Sequence, residues 1–151
     1  MSLTIFQNMN ITSSALTANR LRMDVVSSNM ANAETTRGMY VNGEWQPYKR
    51  KMVVMQSDRS PSFSFFLHSE INKSQNNGVK VTDIVEDNTP FNLVYNPTHP
   101  DANDQGYVQM PNVDPLKEMT DLISATRSYE ANVTVFNTNK SMLTKALEIG
   151  K

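Results

Sequence analysis

The chain has 151 residues, enough for one ordinary domain or for a small domain with long arms. Its formal net charge is −1 and no basic face is visible, which argues against nucleic acid as a partner. Because the sequence has no cysteine, the protein could function outside the cytoplasm without forming unwanted disulfides. No apolar run approaches the length that spans a membrane. The first residues lack the charged and apolar regions of a cleaved secretory signal, so we expect none.

The first stretch predicts a long helix from about Leu3 to Asn32, because apolar residues recur in a heptad pattern and no glycine occurs before Gly38. Its outer face is Asn, Ser, Thr and Gln, which favours a surface that neighbouring chains cover with hydrogen bonds. The alternative is a partly disordered arm, and the two interpretations agree if the arm orders only on assembly. One heptad row is Met9, Leu16, Met23 and Met30; the other is Ile5, Thr12, Asn19, Val26 and Ala33.

Helical periodicity is lost between Gly38 and Met110, where we predict a small β domain of about five short strands. Gly43 and Pro47 mark a turn region, and Asn77-Gly78 is the strongest turn signal in the chain. The candidate strands are Met39–Val41, Lys51–Met55, Phe63–Leu67, Val79–Val85 and Phe91–Tyr95.

A second long helix is predicted from about Asp114 to Ile149, with Asp114 as N-cap, Glu118 in the first turn and Gly150 just past the end. About 35 residues at 1.5 Å each give a rod roughly 50 Å long, too long to pack only within a small domain. Its heptad rows are Leu122, Tyr129, Phe136 and Leu143, and Met119, Thr126, Val133, Lys140 and Leu147.

The predicted fold class is therefore α+β: long N- and C-terminal helices that pack as a left-handed coiled coil, with a small central β domain inserted between them. The predicted segments are residues 1–36 for the first helix and its motif, 37–112 for the β domain, and 113–151 for the second helix.

Candidate catalytic and metal sites are weak, and we expect neither an enzyme nor a cofactor. His68 and His99 are the only histidines and have no metal-binding spacing. The Asp101–Gly106 segment begins like a calcium loop, but its twelfth position is Asn112 rather than a bidentate glutamate, so a polar turn is expected. The basic run Lys49–Lys51 is interpreted as a solvated strand edge, and the methionine rows as helix core.

Several motifs carry a family resemblance. The segments 13–18 and 26–33 resemble the N-terminal motif of bacterial flagellar rod and hook proteins, with Met30 where that motif usually has leucine. Segments 46–54, 96–106, 110–113 and 118–133 narrow the resemblance to the proximal-rod proteins of that family. The match covers both arms closely and the middle more loosely, and it fits least well around 63–78.

The resemblance implies a structural subunit of the flagellar basal-body rod, outside the cytoplasm, exported by the flagellar type III apparatus without a cleaved signal. It implies helical packing with copies of the chain and with the rod proteins FlgB, FlgF and FlgG, near the adaptor FliE. The terminal helices would then line the export channel of a torque-transmitting shaft, and the β domain would face outward.

The predicted assembly interface follows the heptad rows and the N-terminal motif. Its seam side chains are too few to order both arms of a single chain, so we expect arms that fold on incorporation. The alternative function is a soluble, self-associating coiled-coil scaffold or adaptor; a small β-domain enzyme has no residue constellation to support it. The interface comprises Ile5, Met9, Leu16, Met23, Val26, Asn29, Met30, Asn32, Met119, Leu122, Tyr129, Asn132, Val133, Phe136, Leu143 and Leu147.

Overall fold

A computed structural model describes residues 2–41, 43–57 and 78–149, without the side chains of residues 2–5 and 149. The predicted strand Phe63–Leu67, His68, Asn77 and Gly150 lie outside the described residues. The elements in chain order are α1 (Ser2–Ala31), β1 (Met39–Val41), β2 (Glu44–Gln46), β3 (Lys51–Ser57), β4 (Val79–Glu86), β5 (Asn92–Tyr95), β6 (Tyr107–Met110) and α2 (Pro115–Ile149). The α+β class is confirmed.

Both predicted helices form, and their inner ends are capped by side chains. At the start of α2, Asp114 Oδ1 accepts hydrogen bonds from the backbone N–H groups of Leu116 at 3.0 Å and Lys117 at 3.4 Å, as an N-cap does. At the end of α1, Asn32 Nδ2 donates to the carbonyl of Ser28 at 2.9 Å. The backbone N–H of Asn32 donates to the same carbonyl at 3.1 Å, so the side chain reinforces the last turn of the helix.

The strands form three separate two-stranded sheets, β1-β2, β3-β4 and β5-β6. β1 and β2 are a tight antiparallel hairpin in which Tyr40 pairs with Trp45, and Gly43 takes φ +92° at its turn. β5 and β6 are antiparallel, with Val94 opposite Val108.

Four of the five predicted strands lie in the described residues and are found there. The sequence missed β2 and β6, because each is only three or four residues long and lies close to a turn glycine and a proline. Where we predicted a turn region between Gly43 and Pro47, the chain continues as strand from Glu44 to Gln46.

The chain divides into two compact units. One comprises Met1–Leu21, Val54–Asp83 and Ala125–Lys151, and the other comprises Arg22–Val53 and Ile84–Ser124. The division into residues 1–36, 37–112 and 113–151 stays a prediction. Within the second unit, α1 and α2 run antiparallel, since Arg22 bonds to Asp121 and, further along α1, Asn29 bonds to Glu118.

The buried side chains are few, and most are small or polar. Among the described residues, those of the first unit are Thr12, Ala18 and Ala125; those of the second are Val25, Val26, Pro47, Val108, Pro111 and Val113 together with Asn29 and Glu118. The largest fully buried side chain in the described residues is Glu118, at 0% exposure. The second unit is therefore packed around a polar pair rather than around large apolar groups.

Burial along α2 repeats with the heptad alternation of four and three residues. The predicted row that begins at Leu122 is half-buried, and Thr126 and Val133 of the accompanying row are half-buried too. Glu118 and Ala125, each one residue before a position of that row, are fully buried. Met119 is 48% exposed and Leu147 is 73% exposed. The half-buried or buried positions are Glu118, Asp121, Leu122, Ala125, Thr126, Tyr129, Asn132, Val133, Phe136, Asn139 and Leu143. Coiled-coil packing stays a prediction.

Within the described residues, neither helix carries an apolar stretch long enough to cross a bilayer.

Gly38 allows the backbone after α1 to approach the backbone of Tyr48. Its N–H donates to the carbonyl of Gln46 at 2.8 Å, and a Cβ atom here would lie 2.6 Å from Tyr48 N and 2.7 Å from Tyr48 Cα. We therefore expect Gly38→Ala to lower the free energy of unfolding by about 1–3 kcal/mol, because backbone must move. Urea unfolding measures the change, with Ser27→Ala on the exposed side of α1 as control. Equal midpoints for both variants would contradict the close approach.

Candidate functional site

The side chain of Asn29 joins the last turns of α1 to the first residue of β3. Its Nδ2 donates to the carbonyl of Lys51 at 2.8 Å, and its Oδ1 accepts from the N–H of Lys51 at 2.9 Å. The amide thus binds both backbone groups of one strand residue, as a neighbouring strand would. Tyr48 OH donates to the same Oδ1 at 3.0 Å.

Glu118 completes the hydrogen bonding of Asn29 and is itself fully buried. Asn29 Nδ2 donates to Glu118 Oε2 at 3.0 Å, and Arg50 Nε donates to Glu118 Oε1 at 2.6 Å. A buried carboxylate is tolerated only when it is paired and hydrogen-bonded, and both oxygens of Glu118 have a partner. Its position in the first turn of α2 adds a favourable interaction with the helix dipole.

The guanidinium of Arg50 also lies close to two further carboxylates. It lies 3.6 Å from Asp87 Oδ2 and 3.7 Å from Asp121 Oδ2, and the Arg50 side chain is only 11% exposed. Asp121 also accepts from Arg22 of α1 at 3.1 Å. We call Arg22, Asn29, Arg50, Glu118 and Asp121 the polar cluster. It ties α1 to the start of α2 and to the residue before β3.

Asn112 fixes the backbone that carries Arg50. Its Oδ1 accepts from the Arg50 N–H at 2.8 Å, and its Nδ2 donates to the carbonyls of Asp87 at 3.0 Å and Thr89 at 3.2 Å. The Thr89 N–H, which donates to Asp87 Oδ1, lowers the pKa of Asp87, and the charge of Arg50 lowers it further. Asp87 is therefore ionised at neutral pH, where it balances the guanidinium.

A second polar contact holds the segment after α1. Arg37 Nε donates to Asp101 Oδ1 at 2.8 Å, and Thr36 Oγ1 donates to Asp101 Oδ2 at 2.8 Å. These bonds lower the pKa of Asp101, so its carboxylate stays charged at neutral pH. The Asp101–Gly106 segment is a turn, as predicted, and the carboxylate of Asp101 pairs with Arg37.

The arrangement binds segments of the chain to each other. In the second unit, the carboxylates of Asp87, Glu118 and Asp121 converge on the guanidinium of Arg50. The described residues contain no group of three His, Asp or Glu side chains that could hold a metal ion. What the geometry supplies is a rigid joint between the inner ends of two long helices and a β strand.

The predicted interface residues divide into three groups. Val26 and Asn29 are buried, and Met119 and Leu147 are exposed. The side chain of Ile5 lies outside the described residues. The half-buried members are Met9, Leu16, Met23, Met30, Asn32, Leu122, Tyr129, Asn132, Val133, Phe136 and Leu143. Their part in assembly stays a prediction, although the structure assigns Asn29 an intramolecular role.

Sequence reasoning missed three important side chains: Arg50, Glu118 and Asn112. The interpretation of Lys49–Lys51 as a solvated strand edge is wrong for Arg50, because the guanidinium is sequestered by carboxylates from distant segments. From the sequence, Glu118 is expected only to lie in the first turn of α2. No local signal identifies such pairs, since 68 residues separate Arg50 from Glu118.

Comparison with known families identifies the class of protein. A family described as "Flagella basal body rod protein" matches residues 9–37, and one described as "Flagellar basal body rod FlgEFG protein C-terminal" matches residues 104–149. The two matches cover much of both helices, including Asn29 and Glu118, whereas Arg50 lies outside both. The class is that of structural subunits of the flagellar basal-body rod, which are not enzymes.

Curated relatives narrow the class to one family. The flagellar basal-body rod protein FlgC of Bacillus subtilis (strain 168) is 64% identical over 151 residues, covering 99% of this chain and 100% of the relative. FlgC of Escherichia coli O6:H1 is 44% identical over 141 residues, covering 93% and 94%. FlgC of Borreliella burgdorferi is 39% identical over 151 residues, covering 96% and 97%. The chain belongs to the FlgC family of flagellar basal-body rod proteins, which confirms the predicted resemblance and sets aside the soluble scaffold.

The polar cluster predicts a large effect for one isosteric substitution. Asn29→Asp places a second carboxylate against Glu118 Oε2 and removes the donor to the Lys51 carbonyl. We expect the free energy of unfolding to fall by roughly 2–4 kcal/mol, because like charges are forced together and a buried acceptor loses its partner. Urea unfolding at pH 7 checks this, with Asn10→Asp at an exposed position of the same helix as control. A loss no larger than the control's would show that Asn29 does not hold the joint.

Proposed function

We propose that this chain polymerises into the wall of the proximal rod through its terminal helices, whose half-buried rows are completed as coiled coils by helices of neighbouring subunits. Those neighbours are copies of the chain and the rod proteins FlgB, FlgF and FlgG, with FliE nearby. The assembly lies outside the cytoplasm, transmits torque and encloses the export channel. The chain reaches it through the flagellar export apparatus.

The surface of α2 carries this proposal. Among residues 115–148 of this helix, whose side chains are described, only Glu118 and Ala125 are buried. Monomeric proteins rarely leave many large apolar side chains uncovered on one element, so such a surface indicates a missing partner. The exposed large apolar residues are Leu116 at 75%, Met119 at 48%, Ile123 at 51%, Val135 at 49%, Met142 at 55% and Leu147 at 73%.

The polar cluster explains how a helical wall could drive the rest of the subunit. A force applied along α2 meets Glu118 in its first turn, and Glu118 is bonded to Asn29 of α1 and to Arg50 next to β3. Charge-assisted hydrogen bonds are directional and strong in a buried environment. Torque received by the helices would therefore pass to the β strands through bonds rather than through loose loops.

The heptad row of α2 gives a direct test of helix-mediated assembly. Phe136→Asp puts a charge in the half-buried row, and we expect incorporation into the rod to fall by about tenfold or more, because a buried unpaired carboxylate is costly. Cells that carry the variant as their only copy supply basal bodies, in which mass spectrometry counts the chain. Thr138→Asp, at an exposed position two residues away, is the matched control.

Expression and export of Phe136→Asp should match the wild type, as measured by immunoblotting of cells and of culture medium. Incorporation at the wild-type level would contradict a role for this row in assembly.

The two compact units support a division between folded and unfolded parts of the free subunit. The inner segments, residues 22–31 and 115–124, are held by the polar cluster, whereas the described outer segments bury only Thr12, Ala18 and Ala125. We infer that the outer segments fold on incorporation. The segments that we expect to be disordered in the free subunit are therefore shorter than the whole helices, because the inner third of each helix remains ordered.

Hydrogen exchange on the purified full chain at low micromolar concentration tests this division. We expect amides of residues 22–31 and 115–124 to exchange at least about 100-fold more slowly than those of residues 6–21 and 125–148, because only the former need unfolding of the second unit. Equal protection along both helices would show that the arms pair without rod neighbours.

A further inference from the structure

Four exposed aromatic side chains of the second unit form a surface that the polar cluster does not use. Tyr40 and Trp45, opposite each other in the β1-β2 hairpin, have ring centroids 5.1 Å apart and are 60% and 55% exposed. Tyr95 and Tyr107, opposite each other in β5-β6, have centroids 5.3 Å apart and are 65% and 42% exposed. We call these four residues the aromatic surface.

A cavity of about 320 Å³ joins the two aromatic pairs. Trp45 lines it from one hairpin and Tyr107 from the other, so one ring of each pair borders the cavity. Trp and Tyr are the side chains most enriched at the energetic centres of protein interfaces. One ring of each pair at a single cavity, with all four rings more than two-fifths exposed, indicates a surface that a partner covers.

The charge of the cavity indicates what enters it. Glu44 and Asp101 line it, and the described lining residues include no Lys, Arg or His. Asp101 is already bonded to Arg37 and Thr36, whereas Glu44 is exposed and no ion pair is found for it among the described residues. Ring faces beside an unbalanced carboxylate attract a cation by both cation–π and ionic attraction.

We propose that the aromatic surface docks a Lys or Arg side chain of a second copy of this chain. The inference rests on the proposed polymerisation. The cavity is lined by Glu44 and Asp101 and, among the described residues, by no cation, so the cation must come from a different face of the neighbour. Such heterologous contacts leave the assembly open to further subunits, as a rod requires, whereas a self-complementary contact would end at a dimer.

The chain carries suitable donors on its helices. The exposed cations for which no ion pair is found among the described residues include Arg20, Lys117, Arg127 and Lys140. A long aliphatic stem with a charged end fits a cavity with aromatic walls and a carboxylate.

Photo-crosslinking in assembled rods tests the occupant. Cells make two differently tagged versions of the chain, of which only one carries Trp45→p-benzoylphenylalanine, and purified basal bodies are irradiated. We expect a crosslink between the two tags, joined to a peptide that contains Lys or Arg. Crosslinks only to another rod protein, only within one copy, or to no protein would overturn the proposal.

Substitutions test the chemistry separately from the crosslink. Glu44→Lys and Trp45→Ala should each lower incorporation into basal bodies by about tenfold, because they repel the cation or remove the main ring. Trp45→Phe, which keeps a ring, should retain most of it, and Glu34→Lys is the matched control at an exposed carboxylate that does not line the cavity.

These outcomes separate the aromatic surface from the helical rows. Circular dichroism and export must be normal for each variant, so that only assembly is compared. Wild-type incorporation of Glu44→Lys and Trp45→Ala beside a failed Phe136→Asp would overturn the docking proposal and leave helix-mediated polymerisation standing. Wild-type incorporation of all three variants would contradict both the docking proposal and helix-mediated polymerisation.

Discussion

The buried carboxylate of Glu118 is the constraint on which the second unit depends. Removing a charge from water costs several kcal/mol, and the cost is offset only where partners are held in place. Here the partners come from α1 and from the residue before β3, Asn29 and Arg50. If either partner segment moved, one oxygen of the buried carboxylate would lose its partner, and if α2 moved, both would. Because burying the Glu118 carboxylate is costly unless its partners are in place, this interaction allows a single arrangement of α1, β3 and α2.

This dependence explains why so small an apolar core is sufficient. The second unit buries Val25, Val26, Val108 and Val113 but no large aromatic side chain. Such a core contributes little hydrophobic free energy, so the position of the elements is set by polar geometry instead. Large apolar side chains are kept for the outside, on α2 and on the aromatic surface. A subunit of an assembly gains by this distribution, since its main hydrophobic burial then accompanies incorporation.

The sequence predicts the elements much better than it predicts the joint between them. Heptad periodicity located both helices to within two residues, and Asp114 located the start of α2, because these signals are local. In the row beginning at Met119, Thr126 and Val133 are half-buried but Met119 is exposed, because Glu118 takes the inward position through its bond to Arg50. That bond joins residues far apart in the chain, and a basic run such as Lys49–Lys51 looks the same whether it is solvated or sequestered.

A torque-bearing polymer needs contacts of two physical kinds. Apolar helix rows such as that of Phe136 supply burial, but they tolerate sliding by a heptad because successive positions are similar. A cation seated between Trp45 and Tyr107 beside Glu44 occupies one position only, so it would fix the register that the rows leave open. Polar contacts commonly set register at some cost in stability. The polar cluster performs this role within the subunit, and the aromatic surface has the chemistry to perform it between subunits.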